Sequence, residues 1–343
     1  MKYIHTLTGL RGLAALMVFV SHAANETLLP NIWSKGFGQT GVMIFFVLSG
    51  FLMTHLYVHE DFNRTNVIKY SLARIGRVFP LYLILLAISL IITKYIYSDF
   101  YYKLDNISQS INAFLFIEAP YAFWTIPVEV QFYLIFIGFW FVHKRSPSPI
   151  TLVLFVTVTM LPSVILYIGF SKLPRFVSLY SYAFFIGVAT ALYQERIRNN
   201  KLIKKYASAT GYPLVILLLF IYTPFNREQF ELTYFESTYL RTWGDPITWL
   251  IVYGVFICAI LNTRSMAFLN YKPFVYLGGI SYGFYLMHYP ILMYFKDMKI
   301  NSALQLIFAF TVTTILSHIS YHYFEKRLGK KIKNTIYCNK ILT

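Results

Sequence analysis

The 343-residue sequence predicts an all-α polytopic membrane protein of about ten transmembrane helices, with both termini cytoplasmic. Three observations carry that prediction. Apolar residues make up 57% of the chain, 13% are charged and the mean hydropathy is +0.55, more apolar surface than a water-soluble core could hide. The apolar residues are gathered into runs of ~20, the length that crosses a hydrocarbon core as a helix. The basic residues are distributed unequally between those runs.

Taken in order, the runs are about 10–28, 41–58, 79–97, 124–142, 150–170, 176–193, 207–223, 245–262, 274–295 and 302–324. SKLPR links the fifth to the sixth, and Gly211 and Pro213 lie within the seventh. With the termini inside, segments 1–11, 59–78, 143–149, 194–206, 263–273 and 325–343 hold 21 of the 30 Lys and Arg but only 4 of the 14 Asp and Glu. That is the positive-inside pattern of a multi-pass protein of the cell's cytoplasmic (inner) membrane. It also accounts for the net charge of +16 without nucleic acid, because the basic residues are dispersed over several inner loops. Residues 1–325 read as one membrane domain and 326–343 as a basic cytoplasmic tail. Lys2 and the apolar run before SHAA resemble a cleavable signal peptide, but Arg11 sits late for one and nine more apolar runs follow. Cys258 and Cys338 lie in unlike settings, so no disulfide framework or metal cluster is expected. The outer loops 98–123 and 224–244 are rich in Tyr and Phe, which suit an interfacial aromatic belt or a sugar-binding face.

Several polar residues stand where a bilayer should not hold them. In RGLAALMVFVSH, Arg11 and His22 fall on one helix face, ~16 Å apart along the axis. Arg11 alone fits a cytoplasmic anchor and His22 alone a helix–helix hydrogen bond. Glu129 in WTIPVEVQFYL lies within the fourth run, where a carboxylate is costly and faces a cavity or a partner. His288 in SYGFYLMHYP reaches a similar depth to His22, in the outer half of the membrane. A carboxylate beside an imidazole orients it and raises its basicity, which suits general-base work; a structural Glu–His pair is the alternative. On the inner side, SLARIGRVFPLY sets Arg74 and Arg77 at i, i+3, on one face of a helix that Pro80 interrupts or begins. Two guanidiniums near Arg11 can grip a polyanion, or lipid headgroups. An anion grip inside and a base ~16 Å outward match the reach of a phosphopantetheine arm, which suggests a membrane enzyme passing an acyl group outward from coenzyme A.

The motifs resemble the acyltransferase-3 family of integral membrane acyltransferases over nearly the whole chain. Arg11 and His22 match its Arg-x10-His signature, after LTGLRG; GVMIFFVLSGF (41–51) is similar to its second-span motif. RIGRVFPLYL (74–83), WTIPVEVQFYL (124–134), ISYGFYLMHYPIL (280–292) and SYHYFEKR (320–327) follow in the family's order. Met43, Val130 and Arg327 depart from its usual pattern. The resemblance implies O-acetyl transfer from acetyl-CoA, a donor substrate rather than a resident cofactor, to a hydroxyl of a surface or lipid-linked glycan such as O-antigen, capsule or exopolysaccharide. It implies His22 and Glu129 as catalytic residues, Arg11, Arg74 and Arg77 as the acyl-CoA grip, and Ser281, Tyr282 and His288 as supporting or acceptor-side groups. Glu325 is expected to pair with a cytoplasmic Arg. Larger family members append an esterase-like domain, so handover in this chain is expected within the membrane domain. Two rival readings are a lipid-linked glycan flippase, which needs no thioester, and a non-catalytic scaffold.

Overall fold

The computed structural model describes residues 5–34, 36–104, 106–170, 175–220 and 242–327. Among the described residues there is no strand. The helices are α1 (His5–Asn25), α2 (Phe37–Tyr57), α3 (Arg64–Tyr95), α4 (Ile107–Phe114), α5 (Thr125–Arg145), α6 (Pro149–Phe170), α7 (Val177–Leu192), α8 (Gln194–Asn199), α9 (Lys201–Phe220), α10 (Pro246–Ile260), α11 (Lys272–Lys296) and α12 (Ser302–Ser320). Each of the ten apolar runs coincides with a helix: α1 to α3, α5 to α7 and α9 to α12. The SKLP of the link before α7, most of the 224–244 loop and most of the basic tail lie outside the described residues.

Among the described residues, seven helices are long and apolar enough to cross a membrane: α1, α2, α3, α5, α6, α9 and α12. An eighth counts if α10 and the 3-10 turn Arg264–Asn270, bent by 77° from it, form one span. The shortfall from ten has physical causes. Helix α7 has 16 residues and α10 has 15, short of the ~20 a straight crossing needs. Helix α11 has the length but devotes positions to Ser281, Tyr282 and His288.

One sequence expectation is corrected. Pro80 neither starts nor breaks a helix: α3 runs through it for 32 residues. A membrane helix can absorb one missing N–H where neighbouring groups satisfy the freed carbonyl. Helix α3 also begins well before residue 79, because the Asn63 side chain caps it by accepting from the Asn66 N–H at 2.9 Å. Arg74 and Arg77 lie on this helix one turn apart, as their i, i+3 spacing predicts.

The chain forms two compact units, Met1–Leu48 with Tyr193–Ser317, and Ser49–Leu192 with His318–Thr343. In the first, α1 and α11 run parallel with their backbones nearly touching. A Cβ added at Gly12 would lie 2.2 Å from the Phe274 carbonyl oxygen, and one at Gly278 would lie 1.8 Å from that of Thr8. Small residues are what permit such an approach between membrane helices. Phe19 packs on Phe284 and Phe310 further along, and Glu26 pairs with Lys296 at the far end. Helix α10 ends in a left-handed Asn262 (φ 50°), with Asn262 N–H bonded to Ala259 O and Thr263 N–H to Cys258 O. Thr6 on α1 then donates to the Asn262 side chain at 2.9 Å, tying that turn to the start of α1.

The second unit has an aromatic core. Phe132 of α5 stacks on Phe184 of α7 at 4.1 Å, and Phe136, Phe139 and Trp140 continue the same buried stripe. Gly50 lets α2 approach α7, since a Cβ there would meet the Phe184 carbonyl oxygen at 1.9 Å. Tyr102, in the aromatic-rich outer loop, is only 2% exposed and packs against Phe123, so it belongs to this core rather than to an interfacial belt.

Candidate active site

The residues singled out in the sequence divide between the units. Arg11, His22, Ser281, Tyr282 and His288 belong to the first, and Arg74, Arg77 and Glu129 to the second.

In the first unit a single helix, α1, carries both Arg11 and His22. Both meet α11, as their common face requires. Arg11 Nη2 donates to Ser281 Oγ at 3.0 Å, and Ser281 Oγ donates to the Gly278 carbonyl at 2.9 Å. Ser281 is 1% exposed and Tyr282 9%, whereas Arg11 is half-buried. Further along the same seam, the His22 and His288 ring centroids lie 5.1 Å apart, with Tyr289 on His22 at 4.9 Å. The parallel course of α1 and α11 thus brings the two imidazoles to one depth. The His288 ring is fully buried, with Nδ1 against the Tyr285 carbonyl, while His22 is half-buried. This stretch offers a guanidinium near one end of a helix and a pair of imidazoles near the other.

In the second unit, one Glu129 carboxylate oxygen accepts from Ser49 Oγ at 2.5 Å and from Tyr133 Oη at 2.6 Å. Tyr133 follows Glu129 by one helical turn, so its hydroxyl reaches back along α5. The Arg74 guanidinium lies 6.0 Å from the ring centroids of both Tyr57 and Tyr133, and the residue is 9% exposed. Its Nε is buried with no hydrogen-bond partner among the described residues. A buried donor left unpaired costs ~1–3 kcal/mol, and more when charged. Arg77, one turn on, is half-buried. Gln131 braces the same helix: its Nε2 donates to the carbonyls of Phe116 and Ile117, and its Oε1 accepts from the Val177 N–H.

Ser49 and Tyr133 were missed as partners by sequence reasoning. Tyr133 had a signal, its i, i+4 spacing from Glu129; Ser49, on another helix, had none. Of the closing motif, Glu325 lies 3.5 Å from Ser320 Oγ, at the limit of a hydrogen bond.

A family model described as an acyltransferase domain, that of acyltransferase-3, matches residues 4–322. O-acetyltransferase OatA of Staphylococcus aureus (strain NCTC 8325 / PS 47) is 23% identical, the match covering 96% of this chain and 58% of that protein. The putative peptidoglycan O-acetyltransferase YrhL of Bacillus subtilis (strain 168) is 26% identical, over 95% of this chain and 55% of its own length. Peptidoglycan O-acetyltransferase OatA of Listeria monocytogenes serovar 1/2a is 24% identical, over 96% and 56%. The chain spans somewhat over half the length of these relatives. No solved structure gives a significant match. The family match is unbroken from α1 to the turn after α12 and includes every residue of both polar clusters: the chain belongs to the acyltransferase-3 family.

Proposed function

We propose that the protein is a membrane O-acetyltransferase that moves an acetyl group from cytoplasmic acetyl-CoA to a hydroxyl of a cell-envelope glycan. The observation that carries this reading is the family match over residues 4–322, which includes Arg11, His22, Arg74, Arg77 and Glu129. Two of the relatives are named for peptidoglycan, which favours peptidoglycan over O-antigen, capsule or exopolysaccharide as acceptor. The chain crosses the cytoplasmic membrane ten times with both termini inside, α7, α10 and α11 making up the count. A reporter enzyme active only in the periplasm, fused after residue 343, should then be silent.

In this reading Arg11, Arg74 and Arg77 hold the donor's phosphates, to which guanidinium forks are well matched. The pantetheine arm extends towards His22. His22 takes the proton of the acceptor hydroxyl as its oxygen attacks the thioester carbonyl; the C–S bond breaks, and the thiolate regains the proton from the imidazolium. General-base assistance is worth about 10²–10⁴ in rate, the remainder coming from positioning.

Mass spectrometry and NMR of envelope glycans from cells with and without the gene test the proposal. The expected result is an O-acetyl ester on a glycan hydroxyl that disappears with the gene. Identical ester content in both strains refutes it.

A further inference from the structure

Among the described residues, His288 is the most enclosed titratable group of the first unit, and its surroundings fix what it can do. The ring is 0% exposed. Its Nδ1 faces the Tyr285 carbonyl, which can only accept, so Nδ1 carries the ring proton. Nε2 is then the lone-pair nitrogen. It is buried and has no hydrogen-bond partner among the described residues. Buried acceptors are rarely left so, and one that persists calls for an explanation.

Three rings pack on His288. Phe284 lies parallel to it at 6.5 Å and offers no proton, while Tyr285 stands at 5.7 Å. The third is His22, at 5.1 Å and tilted by 49°. Each imidazole nitrogen lies ~1.1 Å from its ring centre, so at this separation two facing nitrogens come to within ~3 Å, a hydrogen-bond distance.

The geometry points to His288 as the positioning residue for His22. Its Nε2 accepts the N–H of His22, which leaves the other His22 nitrogen unprotonated and directed at the acceptor hydroxyl. His288 stays neutral and exchanges no proton: the proton moves from acceptor hydroxyl to His22 and on to the coenzyme A thiolate. The bond strengthens when His22 becomes an imidazolium, as the orienting acceptor does in other nucleophile–base pairs. This inference rests on the role proposed for His22 and adds to it a fixed tautomer.

The test uses the full chain reconstituted in liposomes, with labelled acetyl-CoA and soluble peptidoglycan oligosaccharide as acceptor. His288→Phe keeps the ring's bulk and removes the acceptor; kcat should fall about 10–10²-fold while KM for acetyl-CoA stays unchanged. His288→Gln returns an oxygen acceptor near the Nε2 position and should recover part of that loss. In His22→Ala, adding His288→Phe should cost nothing more. A His288→Phe protein with wild-type kcat overturns the inference, as does a loss that Gln fails to restore. Should both variants fail to insert, ¹⁵N NMR of the histidine-labelled wild type decides: a His288 ring protonated at Nδ1 supports the proposal, and one protonated at Nε2 overturns it. A wild-type protein that transfers no acetyl group sinks the function itself, an outcome distinct from any failure confined to His288.

Discussion

Arg11 and Ser281 are joined by a 3.0 Å hydrogen bond from Nη2 to Oγ, and Ser281 spends its own hydrogen on the Gly278 carbonyl. The serine lone pairs are therefore presented to the guanidinium, and the backbone of α11 determines where the Arg11 side chain points. Ser281→Ala removes that hold without altering any charge. Acetyl-CoA binding should weaken about 3–10-fold, on the order of 1 kcal/mol, and Arg11→Ala should weaken it further. Titration calorimetry of detergent-solubilised protein reads both. Unaltered affinity in Arg11→Ala would remove this residue from the donor site.

Arg74 and Arg77 should separate in the same experiment. Arg74 is buried between Tyr57 and Tyr133, so Arg74→Ala strips packing as well as charge and should lower both thermal stability and donor affinity. Arg77 is half-buried, and Arg77→Ala should lower affinity alone. Equal stability losses in the two variants would contradict the assigned difference.

Glu129 accepts from Ser49 and Tyr133. Tyr133→Phe deletes one of these bonds and leaves the ring against Arg74. A hydrogen bond to a charged group contributes about 1.5–3 kcal/mol, so a drop in thermal midpoint is expected, with reduced kcat if the carboxylate's placement matters to turnover. Stability and kcat both at wild-type levels would show that the Tyr133 bond positions nothing.

The α1–α11 seam makes a sharp stability prediction. Gly12→Ala and Gly278→Ala each press a methyl group into a backbone carbonyl, which cannot rotate aside. Overpacking of this kind costs about 1–3 kcal/mol, and here the helices themselves must part. Gly279→Ala meets nothing within 4 Å and serves as the control. Thermal unfolding followed by fluorescence should rank both seam variants well below Gly279→Ala; a reversed order would contradict the packing described.

Much of this was legible in the sequence, because membrane spans are long and their periodicity is simple. The ten apolar runs all became helices, and the eleven-residue spacing of Arg11 and His22 placed both on the side of α1 that meets α11. The meeting of His22 and His288 followed from their positions in the first and ninth runs, read as running in the same direction. What stayed hidden depends on contacts distant in sequence. Nothing local marks Ser281 as the acceptor for Arg11, or Ser49 as a donor to Glu129. The glycines of LTGLRG and GGISYG read as motif letters, and only the helix seam shows that they admit a neighbouring backbone. Pro80 misled because a break is the rule for proline in water-exposed helices, whereas membrane surroundings allow α3 to continue.

The most direct measurement is single-turnover transfer of labelled acetyl from acetyl-CoA to peptidoglycan oligosaccharide by purified protein in liposomes, comparing wild type with His22→Ala at equal protein density. Transfer by the wild type and a loss of at least about 10²-fold in the variant is the predicted result. Equal transfer by both proteins would show that the imidazole of α1 performs no chemistry and would contradict the central claim.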